Sequence, residues 1–176
     1  MCDLEIFKID LKGMKTDEMC LEFDLNDDFF KSLDASEVNG GVLHVSVSIR
    51  KATGFYELQF HTGGVVTVPC DLCLDDMELP IETDNCLLAK LGAETGTDED
   101  DVVIVDEGEG ILDTAWLIYE FIALAIPIKH VHAPGKCNSV MTQKLNELSG
   151  AARSDKEEEE EMDPRWKALL KLKNEG

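Results

Sequence analysis

Four soft ligands in two distant pairs constrain this chain more than any other feature. Cys70 and Cys73 stand in Val68-Pro69-Cys70-Asp71-Leu72-Cys73-Leu74, and His132 and Cys137 follow far downstream. A Cys-x-x-Cys turn delivers two thiolates to one tetrahedral ion, and a His-x4-Cys loop can deliver the other two ligands. A fold that satisfies all four must bring a loop of the second half onto a turn of the first. Zn²⁺ suits that donor set, because thiolate and imidazole select it over the hard cations that Asp71, Asp75 and Asp76 would favour. A closed set of four leaves no position for water, so the ion would be structural. The competing readings are four unlinked loop residues and a Cys70/Cys73 dithiol switch. Against the switch, thioredoxin-like motifs open a helix in a βαβ unit, whereas this one follows a β-hairpin among acids that raise thiol pKa values.

The pattern around the ligands reads as an antiparallel meander. Leu4 to Lys12 alternates with one slip and reads as a strand. Asn26 is placed to cap a short helical turn with Asp27 and Asp28 in its first turn. Val42 to Ile49 alternates strictly, with Leu43, Val45, Val47 and Ile49 on one face. Ala52-Thr53-Gly54 is a hairpin turn into Phe55 to Val68, with a break expected at Gly63-Gly64. Glu78 to Lys90 returns as a strand, Gly92 to Asp101 is expected to be a mobile loop, and Val102 to Val105 a short strand. Cys86, in an apolar patch, reads as a small core residue; His44 and His61 read as structural strand histidines.

Asp113 to Ile126 is the strongest helix signal, with Asp113 as N-cap and Pro127 as stop. It is apolar nearly all round and is expected to be buried against the sheet. Asp113 and Glu120 share a face, and the simplest account is a cap plus a helix acid with its own hydrogen-bond partner. Ser139 to Gly150 is largely polar. Five glutamates in Asp155 to Glu161 form an acidic linker, after which Asp163-Pro164-Arg165-Trp166 opens a short C-terminal helix. The expected architecture is α+β: an antiparallel sheet, open or closed into a barrel, one buried helix and a C-terminal helix. Residues 1–150 are expected to form the domain and 151–176 the linker and helix.

The chain of 176 residues carries 37 acids against 16 Lys and Arg, a net charge of −21. A body this acidic repels phosphate backbones and suits basic partners. Residues 114–153 are weakly basic, and with Arg165, Trp166, Lys167, Lys171 and Lys173 they offer one route to direct RNA or partner contact. No phosphate loop, nucleophile elbow or His-Glu-x-x-His is present, so no enzyme and no small-molecule substrate is expected. The longest apolar run, Ala115 to Ile126, falls well short of a membrane span. Without a secretion signal, the six cysteines do not argue for disulfides, and a cytoplasmic location is expected.

These pieces together resemble the YceD family of bacterial large-ribosomal-subunit RNA accumulation proteins. The resemblance rests on Val68 to Leu74 after a hairpin, the acidic loop, Asp113-Thr-Ala-Trp-Leu-Ile-Tyr-Glu120 leading into Leu124-Ala-Ile-Pro127, then His132-x4-Cys137 and Asp163-Pro-Arg-Trp166. It implies a role in 23S rRNA accumulation and large-subunit assembly. The acidic charge points to a basic ribosomal protein or an rRNA-processing enzyme as partner, with 23S rRNA as the third option. Relatives look to carry a second Cys pair where this chain has His132 and Cys137, and His130 is a substitute ligand in the same loop. The different-class alternative is a zinc- or thiol-dependent redox regulator.

Overall fold

The computed structural model describes residues 3–35, 37–93, 96–97 and 102–148. Contacts divide the chain into two compact units, Met1–Asn138 and Ser139–Gly176. The expected acidic linker and the helix at Asp163, with Arg165, Trp166 and Lys167, lie outside the described residues, as does Cys2.

The first unit is built on the strict alternation of β3 (Gly40–Ala52), whose Leu43, Val45, Val47 and Ile49 are all buried as the pattern requires. It pairs with β2 (Glu18–Leu25) on one side and β4 (Phe55–Pro69) on the other, and β4 pairs with β5 (Asp76–Gly92), all antiparallel. Thr53 and Gly54 make the β3–β4 turn, with Gly54 at φ 88°. A two-residue β6 (Gly96–Thr97) falls within the expected loop and pairs with β7 (Val102–Asp106). β7 lies parallel to β5, giving the order β2-β3-β4-β5-β7-β6. Among the described residues β2 and β6 do not pair, so the sheet is open and the barrel option is not realised.

β4 is not broken at Gly63-Gly64. Gly64 sits at φ 151°, and a Cβ there would meet Val42 O at 2.3 Å, so the glycine lets β3 and β4 approach while the ladder continues. The N-terminal strand is shorter than expected. Leu4–Phe7 is a 3-10 turn, β1 is Lys8–Asp10, and the slip in alternation buries Phe7 while Ile6 faces solvent. β1 pairs with β8 (Ile111–Asp113) in a separate two-stranded sheet. α1 (Asp27–Ser32) is capped as expected: Asn26 Oδ1 accepts from the N–H of Asp28 at 2.9 Å and of Phe29 at 3.3 Å.

α2 (Ala115–Ala125) covers the sheet with one stripe, Ala115, Ile118, Tyr119 and Ile122, and the Phe121 ring lies 5.2 Å from that of Phe60 on β4. It is buried on one side only. Trp116 and Leu124 face solvent, because a helix lying on a sheet presents a single stripe to it. Asp113 is not the cap residue itself: Thr114 is, and its Oγ1 donates to Phe7 O at 2.7 Å, while Asp113 Oδ1 accepts from Ala115 N–H at 3.0 Å. Glu120 accepts from Trp116 Nε1 at 2.7 Å, the local partner that the sequence suggests for it. Extended Ile126 before Pro127 ends the helix. In the second unit, Ser139–Leu148 forms a helix, α3, that a polar sequence does not announce. No helix among the described residues is long and apolar enough to cross a membrane.

Candidate metal centre

Cys70 to Asp75 is the loop joining β4 to β5, just beyond the last ladder pair, Pro69 with Asp76. Cys70 N–H donates to Asp75 O at 2.9 Å and Leu74 N–H to Cys70 O at 2.9 Å, winding the loop into a knuckle. Leu74 takes a left-handed φ of 62° to close it. Both cysteines are fully buried despite their place at a hairpin tip.

The second pair arrives because α2 packs on β5 and points its C-terminus into residues 127–138. There Ala133-Pro134-Gly135-Lys136 makes a tight turn, with Lys136 N–H donating to Ala133 O at 3.0 Å and Gly135 at φ 81°. The turn places His132 and Cys137 side by side. Asp71 fastens this loop to the knuckle: its N–H donates to His130 O at 3.0 Å, and its Oδ2 accepts from His130 N–H at 2.7 Å. Asn138 Nδ2 adds a bond to Asp75 Oδ2 at 3.2 Å.

The four donor atoms all lie within 4.8 Å of one another. Cys70 Sγ is 3.9 Å from Cys137 Sγ, Cys73 Sγ is 3.3 Å from His132 Nδ1, and Cys137 Sγ is 3.9 Å from the same nitrogen. Bonds of the usual zinc–sulfur length meeting at tetrahedral angles require donor separations of about 3.8 Å. The residues therefore fit one tetrahedral metal ion such as zinc, with His132 binding through Nδ1. His130, the substitute ligand, is not in the group: its Nδ1 lies 3.0 Å from Pro127 O and its Nε2 3.7 Å from Asp71 Oδ1. It fastens the two loops instead.

Electrostatics order the thiols. The Cys70 thiol is not raised by the neighbouring acids as the sequence suggests: burial pushes it up, but backbone N–H groups of Cys73, His132 and Leu72 outweigh that and bring it down to about 6. Burial, together with the neighbouring Cys70 and Cys73 sulfurs, pushes Cys137 up to about 11. The Cys70 thiolate is favoured and a thiolate at Cys137 is opposed, which is the situation a bound cation relieves.

The remaining cysteines are elsewhere. Cys86 is not a core residue but is exposed, since alternation in β5 turns Leu87 and Ala89 inward and Cys86 outward. Cys20 is exposed on β2. His44 and His61 are also on solvent-facing positions, where they meet Asp24 at 2.9 Å and Asp84 at 2.7 Å across neighbouring strands. The loop fastening through Asp71 and His130 has no signal in the sequence, because it depends on where α2 ends over the hairpin.

Fold and site define an α+β protein whose sheet tip and post-helix loop bring together four Cys/His donors that could hold one metal ion. Residues 58–173 match the family model of the large ribosomal RNA subunit accumulation protein YceD, and the chain belongs to that family. No curated protein and no solved structure matches the chain. The match begins in β4 and covers all four donors.

Proposed function

We propose that this chain is a non-enzymatic factor that supports accumulation of 23S rRNA and assembly of the large ribosomal subunit, acting through a basic protein partner. Membership of the YceD family carries the reading. The partner is inferred from charge. A net −21 opposes an RNA backbone and favours a ribosomal protein or an rRNA-processing enzyme rich in Lys and Arg. The metal is read as a structural Zn²⁺ held by Cys70, Cys73, His132 and Cys137. Four protein ligands leave no coordination position for a reactant, and binding energy would appear as folding stability. Its effect is to hold the residue 127–138 loop against the β4–β5 hairpin.

The test is the ratio of 23S to 16S RNA in cells depleted of the protein. A selective fall in 23S, restored by the wild-type gene, is expected. An unchanged ratio overturns the reading.

A further inference from the structure

Three large apolar side chains on the two loops of the candidate metal centre are exposed. Leu72 is 41% exposed, Leu74 66% and Ile128 104%. Single exposed leucines are ordinary, but these three ride on two loops that the Asp71–His130 bonds fasten together. Leu72 adjoins Asp71, Leu74 follows the ligand Cys73, and Ile128 is two residues before His130. The Asp71–His130 bonds thus tie together the two loops that carry the three side chains.

The surroundings on the hairpin side are acidic. Asp71, Asp75, Asp76 and Glu78 cluster at its end, and the sequence has no Lys or Arg between Lys51 and Lys90. Among the described residues none of these four acids has a Lys or Arg within ion-pair distance. Asp75 and Asp76 accept instead from the neutral amides of Asn138 and Asn39. Lys129 and Lys136 are the cations of the facing loop.

We propose that this end of the molecule is a docking surface for a short segment of a partner protein in which apolar side chains alternate with Lys or Arg. The apolar residues would cover Leu72, Leu74 and Ile128 while the cations meet the carboxylates of the hairpin end. A nucleic acid would meet the same carboxylates with the wrong sign. The proposal rests on the reading above that the partner is a basic protein, and it names the surface and the chemistry of the segment. The Asp71–His130 bonds hold the two loops that carry these side chains together.

The test uses the full-length zinc-loaded protein and two synthetic peptides of equal length and charge, one alternating leucine with lysine, the other serine with lysine. Wild type is expected to bind the leucine peptide at least tenfold more tightly. The double variant Leu74→Ser with Ile128→Ser is expected to lose that preference while keeping its zinc and its melting temperature. Leu72→Lys alone serves as a second variant should the double one fold poorly. Equal binding of both peptides by wild type, or an unchanged preference in the variants, overturns the proposal. A wild-type dimer that the substitutions dissolve also overturns it, with a second copy as occupant, and so does a tighter complex with a 23S fragment than with the leucine peptide. In depleted cells, a double variant that restores the 23S to 16S ratio sinks the surface alone, whereas a ratio unmoved by depletion sinks the underlying reading.

Discussion

Cys73 Sγ and His132 Nδ1 stand 3.3 Å apart although 59 residues separate them in sequence. One ligand belongs to a hairpin tip and the other to a loop after a helix, so their approach is set by the packing of α2 on β5. The core and the candidate metal centre are therefore coupled, and a cation bound here would tie together the two ends of that packing.

The two neighbouring histidines should behave oppositely. His132→Ala removes a donor and should abolish tight zinc binding. His130→Ala leaves its backbone bonds to Asp71 in place and should weaken zinc by no more than about tenfold, the scale of a supporting contact. Competition with a chromophoric chelator measures both. Equal losses would place His130 among the ligands.

Stability of the metal-free protein should depend on pH through Cys70. Its folded value of about 6 lies below its ordinary value of 9.0, so the folded chain loses this proton first. Between those values the unfolded chain binds more protons, and stability rises with pH. The contribution is complete above pH 9 and is lost as pH falls through 6. Melting temperatures of metal-free wild type and Cys70→Ser should diverge from pH 6 to 9, with wild type gaining. A constant difference would contradict this.

Zinc binding at pH 8 should release protons. Cys137, pushed up to about 11, holds its proton there until the metal displaces it. Calorimetry in buffers of different ionisation enthalpy should give heats that depend on the buffer, and less so for Cys137→Ser.

Gly64→Ala should cost at least about 2 kcal/mol, because φ 151° suits glycine and the new Cβ would collide with the β3 backbone at Val42 and Leu43. Urea denaturation at fixed metal content reads this.

Thr62→Val should be neutral or stabilise by about 1 kcal/mol, since among the described residues Thr62 Oγ1 is buried without a hydrogen-bond partner and valine keeps the shape. A loss of stability would mean that the hydroxyl has a partner, such as an ordered water.

What the sequence reveals is what is local or chemical. β3 is legible from its alternation, α1 from Asn26, and the four donors that the fold gathers from donor type and spacing. Features that depend on distant pairing are not. β2 is legible too, since Met19, Leu21, Phe23 and Leu25 alternate with outward Glu18, Cys20, Glu22 and Asp24, although it is not among the strands expected above; only its pairing with β3 is not local. The three-residue β8 exists only because β1 is beside it. The parallel placement of β7 on β5 has no local signature. Cys86 shows the limit of composition: an apolar neighbourhood suggests burial, but strand phase decides it. α2 shows the same for helices, since a run of apolar residues does not say how many sides meet a neighbour. His130 and His132 are indistinguishable as donor types, and only the Pro134-Gly135 turn and the Asp71 bonds separate them.

The most direct measurement is native mass spectrometry of the full-length protein with counting of reactive thiols. One zinc ion per chain is the expected result, with Cys70, Cys73 and Cys137 protected from alkylation while exposed Cys20 and Cys86 react. No retained ion in excess zinc, with all of these thiols reactive, would contradict the metal centre.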